Sequence, residues 1–206
     1  MAAPAAAARG LVVSFHPLAT DAGVQMLNQN GNAFDAFVAA TLAEYVVNEG
    51  GTSPAGSLGA LIYDAKTRTS QYLDAEFNGV RDPNGGWDSR KAWTAADPEA
   101  GKAVLVPGAI AGLEALSKRY GRKSFAEALH PAIALAKNGF AVQGFYRASL
   151  VASADFLKRS PYAGQTFYPN GRAVASGQLL RQPVLTAFLE GLARDGAAYM
   201  YSGPWA

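Results

Sequence analysis

His16 to Val47 reads HPLATDAGVQMLNQNGNAFDAFVAATLAEYVV, and its pattern carries the strongest structural signal in the chain. Thr20 or Asp21 can cap a helix whose apolar stripe is Ala22, Met26 and Leu27. Gly31 suits the left-handed residue that ends such a helix, and Asn32 can cap a second one over Ala33–Tyr45. Phe34, Ala36, Phe37, Val38, Ala39, Ala40 and Leu42 make the second helix apolar nearly all round, so it belongs inside a core. Asp35 stands among them. Burying an unpaired charge is costly, so its carboxylate is expected to cap or to pair with nearby backbone or an arginine rather than act on a substrate.

Outward from this segment, Asn48–Ala60 is dense in Gly, Pro and Ser and reads as a loop. Leu61–Ala75 holds two β-rich runs around Asp64-Ala65-Lys66-Thr67, the pattern of a hairpin. Glu76–Ser89 is loop-like, with turn signals at Asn78-Gly79 and Asn84-Gly85-Gly86. Helices are expected over Gly108–Tyr120, from Ser124 to Gly139, over Gly144–Lys158 and over Gln178–Arg194. Ser124 with Glu127 is a capping-box pattern. Ser160–Val174 reads as a loop with a turn at Asn170-Gly171. The class is an α-rich α/β chain with a small antiparallel sheet portion. Two strands alone form a marginal sheet, so either Lys102–Val106 adds a strand or another chain supplies more.

Composition removes several functions. The chain has 206 residues and no cysteine, hence no disulfide framework, thiolate nucleophile or Cys-based metal site. His16 and His130, its two histidines, lie far apart and each precedes a proline. Both are expected to be structural hydrogen-bonders at helix starts; no metal and no cofactor is expected. Eighteen Lys and Arg against 16 Asp and Glu give a net charge of +2, too balanced to suggest nucleic acid as a partner. No apolar run is long enough to cross a bilayer, so no membrane role is expected. Residues 1–10 read as a flexible N-terminus and a poor signal peptide, which favours the cytoplasm while leaving the periplasm or secretion open if a signal peptide has been removed. Gly50–Gly59 lacks the Gly-Lys-Ser/Thr ending of a phosphate loop. No nucleophile–base set can be assembled from these residues.

Two long motifs are shared with a known family. His16-Pro17-Leu18-Ala19-Thr20, then Ala22-Gly23, then Asn30-Gly31-Asn32-Ala33-Phe34-Asp35-Ala36-Phe37-Val38-Ala39 resembles the opening of the γ-glutamyltranspeptidase family. Val106-Pro107-Gly108 with Ala111-Gly112-Leu113, Arg119-Tyr120-Gly121 and Pro131–Val142 follow in the family's order, and Tyr201–Ala206 is similar to a later family segment. The resemblance covers almost everything from Leu11 onward. It implies an αββα N-terminal-nucleophile hydrolase sandwich, residues 11–206 forming a single domain completed by a partner chain. It also implies an autoprocessed heterodimer, with a dimer of heterodimers open. The partner small subunit would carry an N-terminal Thr nucleophile acting on a small-molecule amide, and this chain would be the large subunit without a catalytic residue. Thr52 is internal, has no free α-amine, and is not nominated. The chain is shorter than a usual large subunit of that family.

The resemblance also marks departures. Family members carry an Asp-x-Arg-Glu run after the hairpin, whose arginine grips a substrate carboxylate. Here the run is Asp74-Ala75-Glu76-Phe77-Asn78-Gly79-Val80-Arg81. Glu76 takes the arginine's position without gaps; Arg81 reaches it if the loop is shifted. Glu76, Asn78 and Arg81 are therefore the expected substrate-binding residues, on a substrate other than glutathione. The bland alternative pairs Glu76 with Arg81 or solvent. The rival reading of the whole chain is a non-catalytic binding or regulatory module that retains the fold.

Overall fold

The computed structural model describes residues 10–48, 51–79 and 104–206. They fall into two compact units: residues 10–48, 51–53 and 114–206, and residues 54–79 with 104–113.

In the larger unit, α1 (Pro17–Asn28), α2 (Ala33–Val47), α4 (Phe125–Asn138) and α8 (Pro183–Asp195) pack in succession around the core. Small residues let the helices approach. A Cβ on Gly23 would lie 2.7 Å from Val12 Cγ1 and 3.0 Å from the Ala36 carbonyl oxygen. Val38, Ala39, Leu42, Ala43 and Val46 of α2 are fully buried, as the apolar sequence requires. The side-chain amide of Gln182, ahead of α8, donates to the Val46 carbonyl at 2.7 Å and ties α8 to the end of α2.

The cap of α1 differs from the expectation. His16, not Thr20 or Asp21, is the cap, and its Nδ1 accepts from Leu18 N at 3.1 Å, with Pro17 as the first helical residue. The left-handed residue after α1 is Asn30, at φ 64°, rather than Gly31. Gly31 is needed for a different reason: a Cβ there would sit 2.6 Å from the Met26 carbonyl oxygen. Ser124 caps α4 as expected, and Gly139 ends it at φ 90°. His130 is not at a helix start. It is exposed in the middle of α4, ahead of Pro131 inside the helix.

The expected helix over residues 144–158 is broken into α5 (Gly144–Ala152) and α6 (Ala154–Leu157). The Ser160–Val174 loop contains an unexpected helix, α7 (Pro161–Phe167), and then a 3₁₀ turn with Asn170 at φ 60° and Gly171 at φ 76°. The last long helix starts at Pro183 rather than Gln178. The residues before it form β4 (Leu179–Leu180), antiparallel to β3 (Phe140–Ala141). A short helix, α9 (Ala198–Tyr201), follows.

The smaller unit is built on a hairpin of β1 (Leu58–Asp64) and β2 (Thr69–Ala75), with Leu58 opposite Ala75 and Asp64 opposite Thr69. Leu58, Ala60 and Ile62 face inward while Leu61 and Tyr63 are exposed, the two-residue alternation of a half-covered strand. Of the stretch expected as a further strand, Lys102 and Ala103 lie outside the described residues. Val106 forms an isolated antiparallel bridge with Asn78. The first turn of α3 (Ala109–Tyr120) closes this unit. An α-rich chain carrying two small antiparallel sheets is the class the sequence implied.

Candidate functional site

Three glycines fix the loop that follows β2. A Cβ on Gly108 would collide with the carbonyl oxygens of Ala75 and of Glu76. On Gly112 it would lie 2.5 Å from the Ala75 methyl. The start of α3 therefore lies directly against the end of β2, and Ala109 N donates to the Gly56 carbonyl at 3.2 Å. On the far side, a Cβ on Gly59 would strike the Tyr72 hydroxyl and lie 3.4 Å from Glu76 Oε1. The backbone at Ala75 and Glu76 thus lies against the residue that opens α3, and the Glu76 carboxylate lies beside Gly59 of β1.

Glu76 and Asn78 emerge together from this frame, both exposed. Glu76 N donates to Asp74 Oδ1 at 3.1 Å. Asn78 exchanges both backbone hydrogen bonds with Val106, at 2.9 and 2.8 Å. Arg81 lies outside the described residues, so the choice between Glu76 and Arg81 is a matter for chemistry rather than geometry.

The larger unit holds the buried polar groups. Asp35 is 1% exposed. Its carboxylate accepts from Asn32 N at 2.7 Å and from Arg122 N and Lys123 N at 3.1 Å. The Asn32 side chain caps α2 and donates to the Tyr120 carbonyl at 2.7 Å. Asp35 is a staple between the start of α2 and the turn before α4, the structural role expected of it.

His16 and Glu44 form the second buried pair. Glu44 Oε1 accepts from His16 N at 3.0 Å. Burial lowers the His16 pKa below its ordinary value, against the Glu44 charge, which raises it. The Nδ1 atom is an acceptor, so the neutral ring carries its proton on Nε2, which has no hydrogen-bond partner among the described residues. Glu44 Oε2 also has none. Sequence reasoning missed Glu44, although a lone carboxylate near the end of an otherwise apolar helix was the available signal. A cavity of about 880 Å³ opens beside it, lined by residues 10–15, by Ala36, Phe37 and Ala40 of α2, and by Arg122. Among the described residues no group of three His, Asp or Glu side chains could hold a metal ion, and no helix is long and apolar enough to cross a membrane.

Residues 19–206 match the family model described as Gamma-glutamyltranspeptidase. The chain belongs to that family. It is 34% identical over 211 residues to the acylase ACY 1 proenzyme of Pseudomonas sp. (strain SE83), which covers 97% of this chain and 37% of that protein. It is 29% identical over 204 residues to the glutathione hydrolase proenzyme of Bacillus subtilis (strain 168), covering 96% of this chain and 34% of the relative. The chain thus spans about a third of the length of these curated relatives. Among solved structures, the γ-glutamyltranspeptidase of Helicobacter pylori superposes with a TM-score of 0.85 at 30% identity, covering 95% of this chain and 57% of the other. The Bacillus anthracis transpeptidase CapD superposes with a TM-score of 0.78 at 26% identity, covering 95% and 61%. The small sheets and surrounding helices of this γ-glutamyltranspeptidase-family chain therefore correspond to part of the αββα sandwich of the family.

Proposed function

We propose that this chain is the large-subunit part of a γ-glutamyltranspeptidase-like amidohydrolase or acyl transferase, with the nucleophile on a second chain. The observation that carries this reading is the span of the match. Nearly the whole chain aligns with about a third of proteins named as proenzymes, so precursor processing and a further catalytic part both fit.

The chemistry divides between the two chains. The hydroxyl oxygen of an N-terminal threonine on the partner attacks the amide carbon, and its own α-amine accepts the hydroxyl proton. Collapse of the tetrahedral intermediate breaks the C–N bond; the proton passes to the departing amine, leaving an acyl ester on the threonine. Water or a second amine then attacks that ester and regenerates the hydroxyl. This chain's contribution is to hold the substrate's acyl end against the loop at Glu76, Asn78 and Arg81.

That loop points away from glutathione. A γ-glutamyl substrate presents an α-carboxylate, which an arginine fork would grip and a carboxylate would repel. With Glu76 exposed on the fixed frame after β2, the acyl end that fits is neutral or carries an amine.

Intact-mass measurement and N-terminal sequencing of the active protein test the division of labour. A second chain beginning with threonine is expected; a single uncut chain inert toward amides sinks it. For specificity, Glu76→Arg is expected to raise hydrolysis of a γ-glutamyl anilide about tenfold relative to neutral acyl anilides. Arg81→Ala that leaves activity intact toward every cleavable substrate removes Arg81 from the pocket.

A further inference from the structure

The hairpin sets Gly59 directly opposite Asp74. In an antiparallel pair the diagonal neighbours on the same face lie two residues to either side, and here they are Tyr72 and Glu76. Both lean toward Gly59. A Cβ there would strike the Tyr72 hydroxyl, lie 3.2 Å from the ring carbon Cζ and lie 3.4 Å from Glu76 Oε1. The phenol therefore lies across the strand pair, and its hydroxyl end and the Glu76 carboxylate converge on backbone that no side chain covers. Leu73 and Ala75 alternate with these residues and are half-buried, whereas Tyr72, Asp74 and Glu76 are exposed together on the outer face.

That face carries charge of one sign. Asp74 takes the Glu76 N–H on one oxygen, and neither carboxylate makes an ion pair among the described residues. Lys66 and Arg68, the described cations of this unit, stand at the hairpin turn, about 17 Å along the strands at the usual rise per residue. A glycine floor, an aromatic wall and a carboxylate wall suit a primary ammonium. Its three N–H donors fit carboxylate oxygens, and an aromatic face attracts its charge. A carboxylate would be repelled here, and a neutral group would gain nothing from the charges.

We infer that Tyr72 is a specificity-determining residue and that, with Glu76, it seats a primary ammonium on the acyl end of the substrate. Gly59 keeps the seat open, because any side chain there would push the phenol away from Glu76. Asp74, opposite Gly59, adds a second negative charge to the rim. The inference rests on the reading of the Glu76 loop as the substrate's acyl site and narrows that substrate from neutral or amine-bearing to amine-bearing.

The test uses the native protein with its completing chain, n-butylammonium as the probe and butanol as its neutral isostere. Butylammonium should shift the Tyr72 ring resonances and bind about tenfold more tightly than butanol. Tyr72→Ala should cut that preference about fivefold, while Tyr72→Phe, which keeps the ring, should retain most of it. Glu76→Gln should remove most of it. In turnover, Tyr72→Ala should raise KM for an anilide whose acyl end bears an amine, and lower its kcat/KM relative to the methyl isostere by the same factor. A merely structural role would lower both substrates alike and leave the ratio unchanged. Equal binding of butylammonium and butanol by the wild type overturns the seat, and this measurement decides even if Tyr72→Ala fails to fold. Tyr72→Ala with the wild-type preference removes Tyr72 from it. A protein that seats butylammonium and cleaves no anilide sinks the hydrolase reading and keeps the seat; one that cleaves anilides without preferring the amine does the reverse.

Discussion

The start of α2 and the start of α4 carry the same local device and use it differently. At α4, Ser124 Oγ accepts from Glu127 N at 3.2 Å, and Glu127 Oε2 accepts from Ser124 N at 2.8 Å. At α2, Asn32 and Asp35 make the same reciprocal pair. The α4 box is exposed and serves its own helix. In the α2 box Asp35 is buried and Asn32 half-buried, and Asp35 also takes the backbone N–H groups of Arg122 and Lys123, just before Ser124. One capping box therefore only starts its own helix, while the other also anchors the turn before α4 to α2 across 87 residues of sequence. The weight of a cap is set by what else its carboxylate holds.

Removing Asp35 should break this comparison most sharply. Asp35→Ala strands three backbone N–H groups, and with a cost of about 1 kcal/mol or more for each, unfolding stability should fall by at least about 3 kcal/mol. Chemical denaturation measures it. Asp35→Asn keeps an acceptor and should lose less; equal losses for the two variants would show that packing, not hydrogen bonding, sets the effect.

His16 is the third cap, and it adds pH to the comparison. Replacing it with alanine should cost about 1–2 kcal/mol through the lost N-cap. Because burial lowers its pKa, the folded protein resists protonation while the unfolded chain accepts a proton near the ordinary value of 6.5. Stability from this group is full above that value and declines as pH falls through it toward the folded pKa. His16→Asn can still cap α1 and should flatten that decline in a series of denaturation curves. An unchanged acid limb would assign the decline to other groups.

These caps also show what was legible in the sequence. Within each box the reciprocal partners, Asn32 with Asp35 and Ser124 with Glu127, lie three residues apart, so the pattern marks both helix starts, whereas the bonds from Asp35 to residues 122 and 123 span the sequence and carry no local signal. His16 was legible as structural but not as the cap of α1, since histidine is outside the usual capping set. The α7 helix was hidden by its own start. Ser160 caps it and Pro161 opens it, yet Pro, Gly and Asn nearby read as loop. Strands β3 and β4 have two residues each and pair across some forty positions, which no local pattern encodes. At the candidate site, Glu76 and Asn78 stood out by comparison with a family motif, and the structure adds the glycine frame that fixes their backbone. Glu44 was invisible because its partner, His16 N, lies 28 residues away.

Ser124→Ala removes the exposed half of the comparison at lower cost, about 1 kcal/mol, because the freed N–H of Glu127 can turn to water. A loss as large as that of Asp35→Ala would mean the two boxes act as one unit.

Glu127 gives the smallest effect and the finest distinction. Hydrogen bonds from Ser124 N and Ser124 Oγ, with a weaker contribution from Lys123, hold its pKa below the ordinary carboxylate value of 4.5. A lowered folded pKa means the ionised group stabilises the folded chain above the unfolded value. That contribution is lost as pH falls through the folded pKa. Glu127→Gln should therefore be close to wild type in acid and slightly less stable at neutral pH, the gap opening as pH rises through the carboxylate range. The group is exposed, so added salt should narrow only the part due to Lys123 and leave the backbone hydrogen bond's share. A gap that vanishes in high salt would make the α4 box an ion pair rather than a cap.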